Sequence, residues 1–275
     1  VFHVVDWSAA IFNPSFPYRF AHMGIASFLT GAFVVGGVSA MYMIQGRDTL
    51  IHRKALSMCM WLILILAPAQ IVMGDFHGLN TLEHQPAKVA AMEGNWETSS
   101  NVPLLLFAIP DQENQINHFE IGIPSLASII LKHSPDGVVP GMDILPRDEQ
   151  PPVAAVFWSF RVMVGIGMLM LIAGLLGLLS RCIGWLYTPN PFHYFMTAMI
   201  PAPFIAVVAG WFVTEMGRSP WLVYGMMSYS EAITPSLTSG LALTSLIGFS
   251  LVYAVVYASG LVYIVKTVKK GTEND

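Results

Sequence analysis

Five stretches of this sequence, residues 20–44, 55–74, 153–179, 191–215 and 236–265, are each long and apolar enough to cross a hydrocarbon layer. A helix needs about 20 mostly apolar residues for that task. With no water in the bilayer core, every backbone polar group must be satisfied within the protein, which restricts such segments to helices. Gly36, Gly37, Pro68, Pro201 and Pro203 inside them would break soluble helices. In a membrane, neighbouring helices re-satisfy the freed groups. The expected fold is therefore an all-α membrane protein, a bundle of about five transmembrane helices.

Composition agrees. Apolar residues make up 55% of the chain and charged ones 11%, against roughly a quarter charged in a soluble domain. The net charge of −4 and the lack of a basic tract argue against a nucleic-acid partner. Cys59 and Cys182 stand far apart, outside any CxxC or CxxCH pattern, and read as ordinary apolar residues. The chain opens on Val1 in a semi-polar stretch with no visible signal peptide, which reads as the middle of a longer chain.

The spans divide the chain into residues 1–74 with two helices, an extramembrane loop over 75–152, and 153–275 with three helices and a short tail. The loop carries eleven acidic residues against three basic ones. Arg47, Arg53, Lys54, Arg181, Lys266, Lys269 and Lys270 cluster at the opposite helix ends. The positive-inside rule then puts the loop outside and the C-terminus in the cytoplasm.

Ionisable groups at membrane depth cost at least ~2.5 kcal/mol near the centre and are functional candidates by default. His22, Arg161 and Glu215 are such groups, and with Met163 all four fall in the outer half of the expected membrane. Each also has a plain structural reading: an interfacial histidine, a snorkelling arginine, an ion pair of Glu215 with Arg218, and a packing methionine. An imidazole and a thioether on different helices at one depth would suit the axial pair of a low-spin haem. A neighbouring arginine would suit a propionate or a quinone oxygen. His77 and His84 lack further ligands at metal-binding spacing.

The segments "NPSFPYRFAHM", "GDFHGLNTLEHQPAKVAAMEGNWET", "FAIPDQEN", "PPVAAVFWSFRVMVG" and "AGWFVTEMGRSPW" resemble, in order, subunit I of cytochrome bd-type quinol oxidases. The wording "DFHGLNTLEHQPAK" and the short loop are similar to the cyanide-insensitive branch. The resemblance implies a bacterial inner-membrane quinol:oxygen oxidoreductase that builds a proton gradient without pumping. It also implies residue roles: His22 and Met163 as ligands of a low-spin haem b, Glu215 as ligand of a high-spin haem b, Trp211 on the path between haems, and Arg161 stabilising the reduced low-spin haem.

A third haem, d or b, would be shared with four further helices that precede this region in the family. Lys88 and Glu93 would oxidise ubiquinol or menaquinol in a periplasmic loop, on a short helix through residues 86–93 opened by Pro86. Five residues apart, they are about 140° around such a helix and make a poor mutual salt bridge. A family acidic position falls on Gln115, with Glu113 near. The implied partners are O2, the lipid membrane, a second subunit and a small single-helix subunit. The readings from other classes are a transporter using Arg161 and Glu215, which would predict repeat symmetry, and a haem electron-transfer subunit without oxidase activity.

Overall fold

The computed structural model describes residues 5–234 and 236–271. It divides into two compact units, residues 1–224 and 225–275. The first holds α1 (Trp7–Ile11), α2 (Phe16–Ile44), α3 (Leu50–His84), α4 (Pro86–Glu93), the strands β1 (Leu104–Asp111) and β2 (Ile116–Ile123), α5 (Leu126–Lys132), α6 (Val153–Cys182), α7 (Pro191–Ala198) and α8 (Ala202–Met216). The second holds α9 (Ser239–Lys270), an apolar helix closed by Lys269 and Lys270. Five helical segments are long and apolar enough to cross a membrane: α2, α3, α6, α7 with α8, and α9. The architecture is mostly helical, as expected.

Small residues let the spans approach closely, the usual solution where lipid removes the hydrophobic drive between helices. A Cβ on Gly36 of α2 would lie 3.1 Å from Cys59 Cβ of α3, and one on Gly174 of α6 would lie 3.1 Å from Leu64 Cα. Around these contacts Leu29, Phe33, Met43, Leu56, Ile63 and Met196 form a continuous core through α2, α3 and α7.

Three local features depart from the sequence expectation. α3 does not stop near residue 74 but runs ten residues further, to His84. It ends where Gln85 precedes Pro86, a position at which the α conformation is disfavoured. The fourth span is interrupted between Ala198 and Ala202, next to Pro201. The extramembrane segment also contains an antiparallel hairpin, paired from Leu104↔Ile123 to Asp111↔Ile116. Asp111 Oδ1 shapes its turn by accepting from the Glu113 and Asn114 amides.

The short helix over 86–93 is present as expected, opened by Pro86 and closed by Gly94 in the left-handed region at φ 70°. A Cβ on Gly94 would also press on the Phe157 ring at 3.1 Å, so both conformation and space favour glycine here. Asn117 of the hairpin donates to the Gly94 carbonyl and accepts from Trp96 Nε1, each at 2.9 Å, which joins the hairpin to the end of α4.

Candidate functional site

α4 is the centre of the polar chemistry, because each of its two charged side chains ends on a different spanning helix. Glu93 is buried, and its Oε2 accepts from Arg161 Nη2 of α6 at 3.0 Å. Arg161 also donates through Nη1 to the Met92 carbonyl at 2.7 Å and through Nε to the Leu105 carbonyl at 2.5 Å. Its guanidinium lies 4.3 Å from the Phe157 ring centroid and 5.3 Å from that of Phe160. Arg161 thus does not snorkel to the surface: it pins α4 and β1 onto α6, two residues before Met163. Burial pushes the Glu93 carboxyl above the usual range, against the opposing charge and hydrogen bond of Arg161.

Lys88, on the other part of α4, donates through Nζ to the Thr214 carbonyl of α8 at 3.1 Å. The acceptor lies in the last turn of that helix, where the dipole favours a cation, and immediately precedes Glu215. Gly217 makes room for the lysine stem, since a Cβ there would lie 2.8 Å from Lys88 Cγ. Burial, then the charges of Arg19 and Arg218, push the ammonium down to about 8, and Glu215 opposes them. The recorded bonds of Lys88 and Glu93 run to α8 and α6, as their angular separation on α4 requires.

His22 stands on α2 against α3. A Cβ on Gly74 would lie 3.3 Å from its Cε1 and 3.7 Å from its Nδ1, and the His77 ring centroid is 5.7 Å away. His22 Nδ1 is buried without a hydrogen-bond partner. Met163 faces α8, where a Cβ on Gly210 would meet its sulfur at 3.1 Å. Glu215 pairs with Arg218 at 2.5 Å, an i,i+3 contact, and half of its side chain is exposed. Trp211, one turn earlier, is likewise about half exposed, on a face shared with Phe204 and Val208.

Of the remaining sequence candidates, Gln115 donates to Gln150 Oε1 at 3.1 Å and accepts from Arg147 at 3.5 Å. Glu113 is exposed, and its carbonyl accepts from Arg147. His84 is exposed, with Nδ1 2.9 Å from the Asn80 carbonyl. Sequence reasoning missed Gly74, Gly210 and Gly217, each of which clears space for one of the singled-out side chains. For Gly74 and Gly210 a glycine within an apolar span was the available signal; Gly217 lies past the end of its span and offered none.

The chemistry of these residues fits a haem. Gly74 and Gly210 leave room beside the His22 ring and the Met163 sulfur that a Cβ would fill. The donor set, imidazole with thioether, is one that iron in haem accepts.

The fold and this polar centre define a multi-pass membrane protein whose short helix α4 is tied through Lys88 and Glu93 to two spans. The sequence matches the family described as cytochrome bd terminal oxidase subunit I over residues 1–272. The chain is 33% identical over 280 residues to the cytochrome bd ubiquinol oxidase subunit 1 of Bacillus subtilis (strain 168), covering 98% of this chain and 60% of the relative. It is 34% identical over 271 residues to a putative cytochrome bd menaquinol oxidase subunit I of the same organism, covering 94% and 59%. The bd oxidase structure from Geobacillus thermodenitrificans superposes with a TM-score of 0.87 at 32% identity, covering 97% of this chain and 61% of that one. The chain belongs to the cytochrome bd terminal oxidase subunit I family. It spans about 60% of the length of the relatives it matches. Membership implies haem cofactors and a multi-pass bacterial membrane protein.

The depressed ammonium predicts a pH effect on stability. Between about 8 and the ordinary 10.5, folded Lys88 has lost its proton while the unfolded residue retains it. The unfolded state binds more protons there, so stability rises with pH across this window. Lys88→Met is expected to flatten that rise. The check is the difference in melting temperature between pH 7.5 and 9.5 for the two proteins in detergent.

Proposed function

We propose that this chain forms the electron-accepting part of subunit I of a bd-type oxidase, which oxidises ubiquinol or menaquinol at the outer face and reduces O2 to water. The observation that carries the reading is the double attachment of α4. Glu93 is held by Arg161 on the helix of Met163, and Lys88 by the carbonyl before Glu215. A quinol bound against α4 therefore meets a base and a cation, each joined to a helix that bears a proposed iron ligand.

In this reading His22 and Met163 would hold a low-spin haem b and Glu215 a high-spin haem b, with Trp211 on the path between haems. A third haem, d or b, would complete the oxygen site together with the remainder of the enzyme. When bound, these groups supply one-electron acceptance and oxygen reduction. The protein's own part is proton handling and orientation. A quinol releases two electrons and two protons. Glu93, its carboxyl raised by burial, accepts a proton at Oε1 or Oε2 and passes it outward. Lys88 holds a quinol oxygen.

Residues 75–152 form the quinol module in the periplasm, residues 1–74 and 153–275 the haem-bearing helices, and the C-terminus is cytoplasmic. A second membrane subunit and a small single-helix subunit complete the complex. Release of protons outside and their uptake from inside build the gradient without pumping.

The test is the rate at which the low-spin haem of the assembled oxidase is reduced by quinol and, separately, by dithionite. Lys88→Met is expected to slow the quinol reaction roughly tenfold, the loss of one charge-assisted hydrogen bond. The dithionite reaction should be unchanged. Equal slowing with both reductants would overturn the role of α4 as the quinol site.

A further inference from the structure

His22 turns two different edges to its surroundings. Only Cε1 and Nδ1 come within 4 Å of a Cβ built on Gly74, so the Nδ1–Cε1 edge is the one set against α3 and Nε2 lies beyond that contact. An imidazole that binds iron through Nε2 carries its remaining proton on Nδ1, and metal-ligating histidines almost always donate that proton to an acceptor. In this structure Nδ1 is buried without one.

A buried acceptor without a donor lies on the facing helix. Gln70 Oε1 has no hydrogen-bond partner. Gln70 precedes Gly74 by four residues, which puts both on one face of α3, about 6 Å apart along the axis. Among the described residues the other orphaned buried side-chain atoms belong to Gln85, His193 and Arg218. Gln85 caps the far end of α3, His193 is on α7 and Arg218 follows α8. A polar side chain in an apolar span, left unsatisfied, is destabilising. Two such groups of complementary type, on packed helices and within one turn of the same glycine, would remove each other's cost once joined.

We propose that Gln70 is the positioning residue of His22, its Oε1 accepting the Nδ1–H proton directly or through one water held by both. This rests on the reading of His22 as a haem ligand. The bond selects the tautomer that leaves Nε2 free and holds the ring plane against Gly74. By drawing on the Nδ1 proton it raises the electron density of the ring, which favours the oxidised state of bound iron.

The experiment is a redox titration of the low-spin band in the assembled oxidase for wild type, Gln70→Met, Gln70→Glu and His77→Phe, with melting temperatures recorded alongside. Gln70→Met keeps the length of the side chain and removes the acceptor. It is expected to raise the midpoint potential by about tenfold in the reduction equilibrium, ~59 mV for a one-electron couple. Gln70→Glu retains an acceptor oxygen whether ionised or neutral, and its potential should lie at or below that of wild type. A purely structural role would lower the melting temperature of both variants and leave the potential alone, which overturns the proposal. So would a potential that moves in His77→Phe but not in Gln70→Met, since His77 would then be the acceptor. Absence of the low-spin band from wild type would instead overturn the ligand reading of His22 itself.

Discussion

Arg161→Leu is expected to destabilise the protein by about 3–5 kcal/mol, the usual cost of removing one partner from a buried ion pair. The side chain is only 10% exposed and Glu93 only 6%. All three guanidinium nitrogens are engaged, by the Leu105 and Met92 carbonyls and the Glu93 carboxylate. Leucine would orphan three acceptors at once, two of them backbone groups that tie α4 and β1 to α6. Arg161→Lys recovers little, because one ammonium cannot reproduce a planar fork with three separate acceptors.

The loss should depend on pH in a defined direction. Burial already raises the Glu93 carboxyl above its ordinary value, and Arg161 is the group that lowers it. Without the arginine the folded value rises further. A carboxyl raised in the folded state makes that state bind more protons than the unfolded one. Stability then falls as pH climbs from the unfolded value through the folded one. The variant should therefore be closer to wild type at pH 5 than at pH 8, and Glu93→Gln in the same background should remove the difference. Thermal unfolding of the four proteins at the two pH values measures this. A pH-independent loss would mean that the lost carbonyl contacts, and not the unpaired carboxylate, dominate.

The spans were legible because length and apolarity are local properties and a bilayer admits few alternatives. Their ends were less so. The polar stretch from Gly74 to His84 reads as a loop by composition, yet a helix leaving the membrane needs no apolar residues to continue, and Pro86 is what stops it. The strands of the hairpin carry only weak alternation, and their turn is set by Asp111 bonding to amides two and three residues on.

At the site, burial cost singled out Arg161 and Glu215 one residue at a time. Their partners lay out of reach of that argument. Arg161 meets Glu93 across 68 positions and Lys88 meets Thr214 across 126. Spacing on a helix, the tool that correctly separated Lys88 from Glu93, carries no information about contacts between helices. The i,i+3 pair of Glu215 with Arg218 is the exception, and it was legible for that reason.

His22→Ala is expected to abolish the sharp low-spin b-type band in a dithionite-reduced minus oxidised spectrum of the assembled oxidase, while leaving the fold largely intact. The second half makes the first interpretable. The His22 side chain lies over a glycine, and the one bond alanine would break on that edge is the proposed link of Nδ1 to Gln70. It also loses the ring contact with His77. A missing band in a protein that melts near the wild-type temperature would therefore report a missing ligand. Met163→Leu is the complementary case. Leucine fills a similar volume against Gly210 and should cost under about 1.5 kcal/mol, but it offers iron no electron pair. The expected spectrum retains haem through His22 and changes from low-spin to high-spin character. If both variants kept the sharp band, the ligands would lie elsewhere.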